Sequence, residues 1–181
     1  MAIIKTNLQY GTSGNLPAVN GSAVTTINAS NISSGTLAAA RYSGGKIGQI
    51  LNTINNSEAA SSSSTYATTG LNLNITPTAT SSKVLIIVTQ AGVGKNSNNT
   101  KCRIKLQRGT TDILQFEDDA GYNGANSTSY VGSSSTCYLD SPNTTSETNY
   151  RTVFASASDE SNVSVNTNAS DSTITLMEIL A

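Results

Sequence analysis

Beyond about residue 65, apolar side chains alternate with polar ones, the two-residue period of a strand with one face in a core. Leu71, Leu73 and Ile75 alternate with Asn72, Asn74 and Thr76, and Pro77 ends the ladder. Cys102, Ile104 and Leu106 fall on one side of the next pattern, with Lys101, Arg103, Lys105 and Gln107 on the other. Gly109 turns the chain into a strand over Ile113 to Phe116. Further strands are predicted over Tyr130–Leu139, Tyr150–Ala155, Val163–Val165 and Thr173–Leu180. Lys83 to Thr89 departs from alternation: its apolar run predicts a strand buried on both faces. Loops rich in Gly, Asn and Ser separate these segments, and the spacing predicts an antiparallel two-sheet β-sandwich over residues 46–181. Ile47, Ile50, Leu51 and Ile54 fit a helix or a strand about equally, and Ser61 to Ser64 reads as a loop.

Residues 1–45 carry a different pattern. No charged side chain occurs between Thr6 and Ala40, and single aliphatics stand alone among small polar residues: Leu8, Leu16, Val19, Val24, Ile27, Ile32 and Leu37. Such a segment cannot bury enough apolar area to offset its ordering entropy. It is expected to be an extended anchoring arm that lies against sister copies or against a different subunit.

Composition narrows the function classes. Ser, Thr and Asn fill about two-fifths of the chain, far above ordinary usage, which favours turns and exposed strands. Only 12% of residues are charged and the net charge is -1, too weak for binding nucleic acid by phosphate neutralisation. No apolar run approaches the ~20 residues of a membrane span, so no membrane insertion is expected. The start, Met1-Ala2-Ile3-Ile4-Lys5, is too short in apolar residues for a secretion signal, which predicts synthesis in a cytoplasm.

Histidine is absent, removing the commonest general base and imidazole ligand, and with it any Ser-His arrangement. Cys102 and Cys137 are too few for a zinc set; they read as two buried thiols, with one cross-strand disulfide as the alternative. Glu117-Asp118-Asp119 reads as an exposed turn; a calcium site there would need Asp140 or Asn123 as well. Gly92-Val93-Gly94-Lys95 lacks the full phosphate-loop pattern and reads as a hairpin turn. Neither catalytic residues nor a cofactor or metal are expected. Glu178 interrupts an otherwise apolar last strand, and its expected state is either a pair with Arg103 or Arg151 or an edge position in water. Tyr122, Asn123 and Asn126, in the stretch from Asp118 to Ser129, combine planar and flexible polar side chains and form a candidate host-contact loop.

Two stretches resemble bacteriophage tail-fibre and virion surface proteins. The run from Thr26 to Arg41, with its Ser34-Gly35-Thr36-Leu37 phrase, resembles a linker of phage fibres. Thr65 to Pro77, then Ser81 to Leu85, and the ending Ile174 to Ile179, are similar to a C-terminal fibre-tip domain. The resemblance implies a non-enzymatic virion protein at the particle surface: a homotrimer with a jelly-roll-like knob, held to capsid or tail proteins by residues 1–45. The knob's expected contact is a host surface glycan or protein. The short stretch before the knob departs from long fibres and suits a short fibre or, alternatively, a capsid decoration protein. A third reading is a glycan depolymerase using acids such as Asp118, Asp119 and Glu147.

Overall fold

The computed structural model describes residues 46–159 and 161–180. The expected arm, with Leu8, Leu16, Val19, Val24, Ile27, Ile32 and Leu37, lies outside the described residues. The described chain contains the strands β1 (Lys46–Asn55), β2 (Ala59–Ser61), β3 (Ala67–Ile75), β4 (Lys83–Lys95) and β5 (Cys102–Arg108). They are followed by β6 (Thr111–Ala120), β7 (Ser129–Asp140), β8 (Thr148–Ser156), β9 (Val163–Val165) and β10 (Ser172–Leu180), with a short 3-10 turn at Thr167–Ala169. Residues 46–54, where the pattern left helix and strand open, are strand. Among the described residues no helix is long and apolar enough to cross a membrane.

All pairings are antiparallel and make two sheets. The first runs β1-β10-β4-β7, with β9 and β2 taking over beside the last residues of β4. The second runs β3-β8-β5-β6. Taking the eight longer strands in chain order, the sheets read first-eighth-third-sixth and second-seventh-fourth-fifth. That is the connectivity of a jelly roll, a two-sheet sandwich built of nested Greek keys. The expected fold class is the observed one.

The core has two apolar halves. One gathers Leu71, Ile75, Val84, Ile86, Val88, Leu106, Tyr150, Ile174 and Leu176. The other gathers Val93, Cys102, Ile104, Ala120, Phe154, Val163 and Val165. Buried polar groups stand between them and join the sheets. The Thr69 and Thr152 hydroxyls lie 2.5 Å apart, Thr152 donates to Gln90 Oε1 at 2.9 Å, and Gln90 Nε2 donates to Asn166 Oδ1 and Ser172 Oγ at 2.8 Å each. Buried polar atoms of this kind are tolerated because each finds a partner.

Four expectations change. Gly92-Val93-Gly94-Lys95 is not a hairpin turn: β4 continues to Lys95 through a register shift between Ala91 and Val93. Gly92 takes φ +59°, and a Cβ there would strike the backbone of Thr167. The run Lys83–Thr89 is not buried on both faces: Val84, Ile86 and Val88 face the core, while Ile87 is 39% exposed. The two cysteines are free; Cys102 is buried, but Cys137 is exposed on the outer side of β7, opposite Ile87. Glu178 meets neither arginine and is not in water. It is fully buried, accepting from Gln49 Nε2 at 2.8 Å and from the Thr78 N–H at 2.6 Å and hydroxyl at 2.8 Å. Arg103 instead donates to Ser156 O, and Arg151 to Gln107 Oε1.

Candidate functional site: the loop end of the sandwich

Antiparallel connectivity sorts the loops onto two ends. The segments 62–66, 96–101, 121–128 and 157–162 share one end; 76–82, 109–110 and 141–147 share the other. The first end carries Tyr122, Asn123 and Asn126. The loop there is shorter than expected, because β6 runs on to Ala120 and takes Asp118 and Asp119 into the strand.

Its residues are cross-tied. Asn123 folds the loop on itself, its Oδ1 accepting from the Ala125 N–H at 3.1 Å and its Nδ2 donating to Ser127 Oγ at 3.0 Å. Asn126 Oδ1 accepts the Asn98 N–H from the neighbouring loop at 2.5 Å. Thr128 Oγ1 donates to Asn96 O, and the Tyr130 hydroxyl to Asn96 Oδ1, both at 2.6 Å. The 157–162 segment joins through Asn96 N–H to Asn162 O at 3.0 Å and the Ser97–Ser161 hydroxyl pair at 2.8 Å. Ser64 of the 62–66 loop donates its N–H to Asp159 at 2.5 Å, and that bond holds the Asp159 carboxyl below its ordinary range.

Lys95 is the base of this platform. Its side chain is buried, and Nζ donates to Asn98 O at 2.7 Å and Ala125 O at 2.6 Å. One ammonium thus holds two loops by their backbones, as charge-assisted bonds do well in a low-dielectric setting. The alternation of β4 did not reveal this lysine, since it follows a bulge. Gly121 enters the loop at φ +78°, where a Cβ would lie 2.6 Å from Ser129 O. Above the base, Tyr122 is 55% exposed. The platform therefore presents two exposed rings, Tyr122 and Tyr130, among amides and hydroxyls whose orientations are already fixed.

The acids are divided between the two ends. Lys101 Nζ reaches Asp118 Oδ2 at 3.2 Å and also Asp119 Oδ1. Asp140 and Glu147 sit at the opposite end of the sandwich. Asp140 is held there by Arg108 Nη1 at 2.8 Å and by the Tyr150 hydroxyl at 2.6 Å. Asp118 and Asp119 therefore make no pair with Glu147 and share no cation site with Asp140. Among the described residues no three acids or thiols are placed to hold a metal ion.

The outer faces of the two sheets differ as much as the two ends. Outside β3-β8-β5-β6 lies a polar lattice: Lys105 bridges Asp112 at 2.7 Å and covers the Tyr66 ring at 4.2 Å, Gln107 joins Arg151 to Asp112, and Asn149 joins Asn74. Outside β1-β10-β4-β7 the register lines up Ile50, Met177, Leu85 and Leu139 in one row across four strands.

No family model matches this chain, and no curated protein matches it. Among solved structures it is similar to the VP2 subviral particle of infectious bursal disease virus, with a TM-score of 0.41 and 10% identity, over 74% of this chain and 37% of that one.

Proposed function

We propose that the protein is a non-enzymatic structural component of a bacteriophage virion, a short trimeric projection whose loop end meets the host surface. The observation that carries the reading is the platform of four cross-tied loops standing on buried Lys95. Surfaces for glycan or protein contact combine rigid aromatic rings with hydroxyl and amide groups, and preorganised loops lose less freedom on binding. Tyr122, Asn123 and Asn126 supply those groups here. The resemblance of residues 26–41, 65–77, 81–85 and 174–179 to phage fibre sequences supports a place on the particle surface. On this reading residues 1–45 hold the knob to capsid or tail proteins.

The test is competition for adsorption. Purified protein added to host cells should slow phage adsorption, and Tyr122→Ala should weaken that effect while shifting Tm little, because an exposed loop side chain contributes little to folding. Competition unchanged by Tyr122→Ala and by removal of residues 122–127 would refute a receptor role and leave a decoration subunit as the better account.

A further inference from the structure

We infer that the outer face of β1-β10-β4-β7 is the surface through which copies of this chain associate. The face is built by register. Across the strands, Ile50 stands beside Met177, Met177 beside Leu85, and Leu85 beside Leu139. The next row is Asn52, Thr175, Ile87 and Cys137, and the one after it Ile54, Thr173, Thr89 and Ser135. Ile50 is 56% exposed, Ile54 58% and Leu139 48%. These three rows hold no charged side chain. With strands about 4.8 Å apart and about 3.3 Å per residue, the three rows span roughly 20 Å by 20 Å, and a further row of Ile47 and Ile179 beside Lys83 extends the face to roughly 25 Å. Side-chain relief brings its surface toward the ~800 Å² per partner that stable complexes bury.

The apolar row of Ile50, Met177, Leu85 and Leu139, with Ile87, Cys137 and Ile54 beside it, is a contiguous and partly exposed patch of the kind that marks an interaction site. The neighbouring chemistry identifies the partner. A face whose charge is confined to Lys83 at its margin offers little to steer or select a charged partner, and its three central rows create no like-charge repulsion when two identical patches approach. Threonine, serine and asparagine rows beside the apolar one supply hydroxyls and amides that bond equally well to their own kind. The polar lattice on the opposite sheet, with Lys105, Asp112 and Arg151, remains in water. The inference takes the number of copies, three, from the proposed function, and the face itself from geometry alone.

Cys137 lies within this face and is exposed in the single chain, whereas Cys102 is buried, so a maleimide label reports on Cys137 alone. The full chain is expected to sediment at micromolar concentration with the mass of three chains, and its Cys137 should label slowly there and quickly on dilution. Ile50→Lys and Leu139→Lys, made singly in two different strands, should each give the mass of one chain with fast labelling and an unchanged far-UV spectrum. Ile87→Ser is a milder variant, expected to move the association midpoint to higher concentration. A wild-type chain that sediments as a monomer overturns the inference, and if its Cys137 is nonetheless protected at every dilution, the face is covered by residues 1–45 instead. A multimer that keeps its mass in both lysine variants and leaves Cys137 open also overturns it. Virion placement is read separately, on particles, so either proposal can fail alone.

Discussion

A carboxylate in a protein interior is stable only where donors replace its water. Glu178 shows how few suffice. Burial on the core side of β10 would push its carboxyl up, but the Gln49 amide and the N–H and hydroxyl of Thr78 outweigh that and bring it down to about 2. A carboxyl depressed in the folded state stabilises the fold above its unfolded value, near 4.5, and that stabilisation is lost as pH falls toward 2. The wild type is therefore expected to lose Tm between about pH 4.5 and 2, and Glu178→Gln to be less stable at pH 7 by about 2 kcal/mol while losing less over that acid window. Thermal melts of both proteins across pH check this; parallel curves would contradict it. Alternation along the last strand exposed Glu178 as an oddity, but its partners were not legible, since Gln49 and Thr78 lie 129 and 100 residues away. A similar limit hid the state of the cysteines. Both occupy alternating positions, yet only the pairing of β7 with β4 puts Cys137 outside, while Cys102 is buried with its thiol pushed up to about 12.

At the scale of elements, strands with clean alternation were read closely: Val163–Val165 matches β9, and Tyr130–Leu139 lies one residue inside each end of β7. The misreading fell on β4, where two glycines mimic a turn. The chain goes straight on because the left-handed Gly92 forms a bulge, and the Asn166 N–H bonds to Ala91 O across it at 2.8 Å. Nothing in the local sequence distinguishes a glycine that turns a chain from one that lets another backbone approach. The bulge matters for the site, since it carries β4 to Lys95 and sets that ammonium under the loops. Gly92→Ala is expected to cost more than 2 kcal/mol, because it combines a positive φ with a backbone collision, and to loosen the loop end. Urea titration gives the first quantity, and hydrogen exchange of residues 96–100 and 121–128 the second. A neutral variant would mean the bulge relaxes freely.

For the whole molecule, the separation of surfaces is the organising fact. One sheet face carries an apolar row among hydroxyl and amide side chains, the other is a polar lattice, and one end is a cross-tied loop platform. Loop composition and apolar excess in β4 and β10 were legible in the sequence; in Lys83–Thr89 the excess was read as a strand buried on both faces, whereas Ile87 is exposed. The convergence of four loops on one end was not legible, because it follows from the order of strands in two sheets. Under the proposed function, these surfaces suit a part that joins its sister copies through a sheet and presents a loop end to the host, with residues 1–45 as the proposed anchor. The most direct measurement is labelling of intact purified phage particles with an antibody raised against residues 46–181, viewed by electron microscopy. Labelling is expected on the particle exterior, and is expected to be lost when the phage encodes the chain without residues 1–45. Intact particles that carry the full-length chain's gene, express it in the host and show no label would contradict it.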